Sequence, residues 1–194
     1  VVVVYFGFIN EGKGFDDLLR ALAICRDRGL GFRLVCIADL CAKEDAYHAQ
    51  MWALAEELGL RGKIVFTGYL QPEQVAEHLG AADIAVLPFN YGASTKRSSL
   101  LAALSCGLPV ITTGDHSLPS FFADGQNILL VPVRDPKALA EAIRKLAGDR
   151  ALRLRLRRGA VQLSRHFSWS DIARQHRHLY RGLSNTGVVP QRPE

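Results

Sequence analysis

The sequence predicts an α/β domain built on a doubly wound parallel sheet of about six strands, and two observations carry that prediction. Short apolar runs alternate along the chain with stretches of helical periodicity. Glycine-bearing turns follow the first, third and fourth of those runs, at Gly7–Gly14, Gly68 and Gly92. Right-handed crossovers would bring all three turns to one edge of the sheet.

The elements follow in order. Val2 to Phe8 reads as the first strand, and Gly7-Phe8-Ile9-Asn10-Glu11-Gly12-Lys13-Gly14 as the turn after it. Phe15, Leu18, Leu19, Leu22 and Ala23 recur at helical spacing, so a helix is expected from Phe15 to Arg28, ended by Gly29 and Gly31. A second strand covers Phe32 to Ile37, and a long helix from Lys43 to Leu58 is stopped by Gly59. Ile64 to Thr67 forms a short third strand before Gly68-Tyr69-Leu70, and Pro72 opens a helix to Gly80. Ala82 to Leu87 is the fourth strand and Val110 to Thr112 the fifth, with a helix between them beginning near Ser94 and stopped by Gly107-Leu108-Pro109. One helical turn is expected at Phe121 to Asp124, and a sixth strand at Ile128 to Val131. Helices then cover Asp135 to Ala147, Asp149 to Ser164 and Ser168 to Leu183.

With 194 residues, 48% of them hydrophobic, the chain can bury one sizeable core, so residues 1–183 read as one domain. Residues 184–194, with Pro190 and Pro193, are expected to be a disordered tail. No apolar run reaches the roughly 20 residues that span a bilayer. The opening Val1 to Gly7 lacks the basic leader of a signal peptide and reads as a strand already under way, which predicts a piece of a larger cytoplasmic protein. Cys25, Cys36, Cys41 and Cys106 form no CxxC pair and are expected as reduced thiols. His176 and His178 do not share a helical face, and no metal site is expected.

The chemistry concentrates in the stretch from Pro88 to Ile111, a strand-loop-helix-strand unit. Its loop offers Gly92, Ser94, Thr95, Lys96, Arg97, Ser98 and Ser99 around a helix start. Cations there oppose the helix dipole, and an anion among the free N–H groups removes the conflict. The same residues also suit a plain helix cap with solvated charges. Lys13 from the first turn adds a third cation to the same edge, which favours a diphosphate. The first turn is neither a GxGxxG dinucleotide fingerprint nor a Walker A loop, although Asp39 stands near the place of a ribose-binding acid and keeps NAD as an alternative.

Five segments in unbroken order carry a family resemblance: Gly7-Phe8-Ile9 with Gly12-Lys13-Gly14, Lys63 to Leu70, Ala82 to Pro88, Leu101 to Ile111, and Phe167-Ser168-Trp169. Together they resemble the C-terminal half of a GT-B glycosyltransferase, of the retaining type called glycosyltransferase family four. The resemblance implies a Rossmann-like domain that binds a nucleotide-diphospho-sugar donor without a metal or other cofactor. It implies that Gly7 and Phe8 line the donor, that Lys13 contacts the diphosphate, and that Gly68-Tyr69-Leu70 lies along the nucleobase. The helix after Ser94 would aim its N–H groups at diphosphate and sugar. The acceptor site would belong to an N-terminal domain absent from this chain. The family's usual arginine and two glutamates are replaced here by Phe8, Ser94 and Ala102. Lys96 and Arg97 would supply the missing positive charge.

The chain carries a formal net charge of +5, and Arg150, Arg153, Arg155, Arg157, Arg158, Arg165, Arg174, Arg177 and Arg181 crowd its last helices. A solvated surface, docking on the N-terminal domain and peripheral contact with an anionic membrane are the readings of that charge. No aromatic platform accompanies it, which argues against nucleic acid. The expected function is the donor-binding half of a sugar transferase. The alternative is a non-catalytic binding or scaffolding module that has lost the acidic donor-site residues.

Overall fold

A computed structural model describes residues 1–41, 45–114 and 118–186. The strands are β1 (Val2–Phe6), β2 (Arg33–Ile37), β3 (Ile64–Phe66), β4 (Ile84–Leu87), β5 (Val110–Thr113) and β6 (Leu129–Val131). They form one sheet in the order β3-β2-β1-β4-β5-β6, with every pairing parallel. Parallel pairing forces each connection to cross a face of the sheet, and helices make the first four of those crossings. They are α1 (Phe15–Asp27), α2 (Ala46–Glu57), α3 (Pro72–Ala81) and α4 (Ser98–Ser105), while α5 (Pro136–Gly148) follows the last strand. Two more follow, α6 (Arg150–Ser164) and α7 (Trp169–Thr186).

Both faces are covered, so the central strands are buried throughout: all four residues of β4 and of β5 are buried. Thr112 and Thr113 sit inside that core because each hydroxyl donates to a backbone carbonyl, of Leu87 at 2.8 Å and of Phe89 at 2.5 Å. On the helices Leu18, Leu19 and Leu22 of α1 and Leu139 and Ile143 of α5 face the sheet. Along α6 Leu152, Leu156, Ala160 and Leu163 are buried while Leu154 is 47% exposed. The alternating leucines of the sequence therefore separate by helical period, and the arginines take the remaining faces.

The structure corrects several expected boundaries. α4 begins at Ser98 rather than near Ser94, because residues 94–97 close a turn in which the Arg97 N–H donates to the Ser94 carbonyl at 3.1 Å. Phe121 to Asp124 is not a helical turn. The Asn127 side chain accepts from the Ala123 N–H at 2.9 Å and donates to the Phe121 carbonyl at 2.7 Å, which takes over the backbone groups a helix would use. Residues 184–186 continue α7 instead of starting a tail, and the rest of the expected tail lies outside the described residues. So does the expected helix start at Lys43; α2 begins at Ala46, capped by Asp45 through the N–H groups of Tyr47 and His48.

Candidate functional site

The strand order reverses between β1 and β4, and the loops that leave their carboxyl ends meet there. The first turn is built from β1 outward. Burial pushes the Tyr5 hydroxyl above its usual titration range, so it remains a donor, and it donates to the Phe8 carbonyl at 2.7 Å. The Phe8 ring is consequently turned outward, 83% exposed. His48 of α2 grips the next residue: its Nδ1 accepts from the Cys41 N–H at 3.1 Å, so Nε2 carries the hydrogen and donates to the Ile9 carbonyl at 2.8 Å. Asn10 caps the single 3-10 turn Glu11–Lys13, and Gly14 leaves it with φ +63°.

Gly14 is where the two loops touch. A Cβ built there would stand 2.0 Å from the Pro88 carbonyl oxygen, so the chain of the β4 loop passes where a side chain would be. The Asn90 N–H donates to the Gly12 carbonyl at 3.2 Å, and the Asn90 side-chain amide donates to the Glu11 carbonyl. On the other side, Ala93 N–H donates to the Thr113 carbonyl at 2.7 Å.

Phe89, 2% exposed, forms the floor between the loops. Two cations approach its ring, the Lys13 ammonium at 5.4 Å and the Arg97 guanidinium at 4.7 Å from the centroid. Lys13 is held below its ordinary pKa, first by loss of water and second by repulsion from Arg97. Among the described residues neither forms a salt bridge, and the Arg97 Nε is buried without a hydrogen-bond partner. Arg97 is also the N-cap of α4 and offers no capping acceptor, so no cap side chain takes up the first-turn N–H groups of Ser98, Ser99 and Leu100. Ser99 Oγ lies 3.7 Å from where a Gly7 Cβ would be, which puts that helix start against the first turn.

The other expected residues divide. Gly92, with φ +74°, turns the loop, and Ser94 is half-buried; Thr95 and Lys96 are exposed, and Lys96 makes none of these contacts. Gly68, Tyr69 and Leu70 follow β3, two strands from β1 and therefore about 10 Å along the edge. The Gly68 N–H is tied to the Ala38 carbonyl at 3.2 Å, Leu70 packs on the core, and Tyr69 is 84% exposed. Ala102 packs partly against the core. A cavity of about 630 Å³ opens beside Gly92, between residues 90–93 and 130–133. Sequence reasoning gave no role to Phe89, Asn90, Tyr5 or His48. Among the described residues no group of three or more His, Cys, Asp or Glu could bind a metal ion, and no helix is long and apolar enough to cross a membrane.

A parallel sheet with this strand order, and an uncompensated cation pair beside a helix start at its switch point, define a Rossmann-like domain equipped for an anionic ligand. Residues 1–149 match the family described as "Glycosyl transferases group 1", and the chain belongs to that family. It is 35% identical over 187 residues to a D-inositol 3-phosphate glycosyltransferase of Corynebacterium urealyticum, covering 94% of this chain and 43% of the relative. The sucrose-phosphate synthase of Thermosynechococcus elongatus superposes with a TM-score of 0.81 at 27% identity, over 95% of this chain and 46% of that one. An Anabaena protein, HepE, solved in complex with UDP and glucose, superposes with a TM-score of 0.77 at 20% identity over 95% of this chain and 48% of that one. The chain thus spans less than half the length of these relatives, and its fold is that of a GT-B glycosyltransferase domain.

Proposed function

We propose that residues 1–183 are the C-terminal, donor-binding domain of a glycosyltransferase that moves a sugar from a nucleotide diphosphate to an acceptor with retention. The observation that carries this reading is the pair Lys13 and Arg97 on Phe89, two cations in one place with no carboxylate partner among the described residues, beside the uncapped start of α4. A diphosphate satisfies all of them at once. The UDP in the HepE complex supports this choice of ligand.

In this reading the diphosphate lies between Lys13, Arg97 and the N–H groups of Ser98 and Ser99, with the exposed Lys96 adding long-range attraction. Gly7 lets the donor approach the backbone of the first turn, and Phe8 covers it. Gly68, Tyr69 and Leu70 flank the nucleobase. Gly92, Ser94 and Thr95 border the sugar, which extends toward the cavity beside Gly92. As the glycosidic bond breaks, charge grows on the departing diphosphate, and prearranged cations stabilise that charge more than the intact donor. The residues need no metal for this. The acceptor and the groups that position it belong to an N-terminal domain across the cleft. The protein works in the cytoplasm, with its arginine-rich helices available for peripheral contact with an anionic membrane.

The test is calorimetric titration of the full-length protein with UDP-, GDP- and ADP-sugars. One of them is expected to bind, and Lys13→Ala and Arg97→Ala are each expected to weaken it by about 10- to 100-fold, the worth of a charge-assisted hydrogen bond. Unchanged affinity in both variants would overturn the assignment. Ala102, packed partly on the core, favours a second reading in which the donor is bound but not turned over. Tight donor binding without sugar release or transfer would establish that reading.

A further inference from the structure

A second group of cations surrounds a cavity that the donor reading does not use. It lies between α6 and the turn at residues 125–127, has a volume of about 730 Å³ and falls within the range of about 300–1,000 Å³ usual for ligand sites. Arg155, Arg158, Gln162 and His166 line it from one side. Their spacing of three, four and four puts them on one stripe of α6, running into the single turn Arg165–Phe167. Gln126 and Phe121 line the other side.

The arginines are arranged rather than merely present. Arg155 Nε donates to the Gly125 carbonyl at 2.8 Å, and Arg158 Nε donates to the Leu154 carbonyl at 3.3 Å. Each guanidinium is thereby tethered by one N–H while its terminal amino groups remain for a ligand. α6 contains no Asp or Glu, no carboxylate lines the cavity, and neither arginine forms a salt bridge among the described residues. Gly159 sets the width: a Cβ there would stand 2.1 Å from the Gln126 carbonyl oxygen, so helix and turn come close only because the residue is glycine. Phe121, 40% exposed and braced edge-on by Phe167 at 5.7 Å, gives one wall an apolar face.

Position separates this cleft from the donor crevice. Its turn precedes β6, and Val161 of α6 packs on Gly107, which precedes β5. Both contacts lie at the amino ends of the strands, whereas Lys13 and Arg97 stand at the carboxyl ends. Strands of three to five residues put the two edges about 10 to 16 Å apart. One diphosphate cannot reach both.

We propose that the α6 cleft is a second anion site, which takes a phosphate group borne by a sugar-sized molecule or by a lipid headgroup. The two guanidinium groups grip the phosphate, His166 and the amides of Gln126 and Gln162 add donors, and Phe121 packs on the carbon part of the ligand. The proposal does not depend on the identity of the donor.

The test uses the full-length protein with its donor site saturated by whichever nucleoside diphosphate the calorimetric titration shows to bind there. Inorganic phosphate is titrated while the arginine Nε–H resonances are followed by NMR, and binding to phosphatidylcholine vesicles with and without phosphatidylglycerol is measured in parallel. Saturable binding of at least one probe is expected, weakened about tenfold or more in Arg155→Gln/Arg158→Gln and unchanged in Arg157→Gln, an exposed arginine of α6 outside the cleft. Phosphate binding identifies a soluble ester as the ligand, and vesicle binding alone identifies a headgroup. Binding of neither probe, or equal losses in the double variant and in Arg157→Gln, would overturn the proposal. The thermal transition of the double variant, expected to match that of the parent, shows that any loss arises at the cleft.

Discussion

Lys13 and Arg97 stand against a buried ring at the strand tips, while Arg150, Arg157 and Arg165 stand in water along α6 and just after it. The charge is the same in both regions and its setting is not. At the tips, two cations are pressed together on loops pinned to each other by backbone contacts, and loss of water first, then repulsion from Arg97, lowers the Lys13 pKa. Along α6 the exposed arginines are screened by solvent and their stems shelter the apolar stripe below. A cation becomes a binding group when rigid backbone denies it an easier partner.

The sharpest way to break this comparison is to separate the loops. Gly14→Val forces a branched side chain into the Pro88 carbonyl at a positive φ and is expected to cost more than about 4 kcal/mol in urea unfolding. Gly29→Ala, also at positive φ but with nothing within 4 Å, is expected to cost only about 1 to 2 kcal/mol. Next in size is the apolar stripe beneath the arginines. Leu156→Ala empties a fully buried position and should cost about 3 kcal/mol, against about 0.5 kcal/mol or less for the exposed Leu154→Ala. The third contrast is in binding. Arg97→Ala should raise the donor Kd by about 10-fold or more by calorimetry, while Arg157→Ala should leave it within about twofold.

The smallest effect is in pH dependence. Lys13 sits below its ordinary 10.5, so in the window between its lowered value and 10.5 the unfolded chain binds more protons than the folded one. Burial of the lysine and, second, its repulsion from Arg97 therefore subtract from stability at neutral pH, and this penalty fades as pH rises through that window. A bound diphosphate favours the charged lysine. Donor affinity is expected to fall as pH climbs through the Lys13 titration, and Lys13→Arg should flatten the fall, both read from Kd against pH.

The strands and most helices were legible because apolar runs and helical periods report burial directly. The start of α4 was not: Ser94 to Arg97 have the composition of a helix cap, and only the hydrogen bond from Arg97 to Ser94 turns them into a separate turn. Asn127 misled in the same way, since its side chain replaces helical partners for Phe121 and Ala123. At the site, Lys13 and Arg97 could be picked out as cations on glycine-rich loops. Phe89 could not, because an aromatic after an apolar strand looks like more core. His48 lies 39 residues from Ile9 and Asn90 lies 79 from Glu11, so those braces exist only once the chain has folded. Lys96, adjacent to Arg97 in sequence, is exposed and makes none of the contacts that join Lys13 and Arg97 to Phe89.

The seam between Gly14 and Pro88 also limits how this domain can move. With Asn90 fastened to both Glu11 and Gly12, the two loops travel as a single jaw, and neither can fold down over an arriving donor. In the proposed donor-binding role this jaw is the fixed anvil of the site.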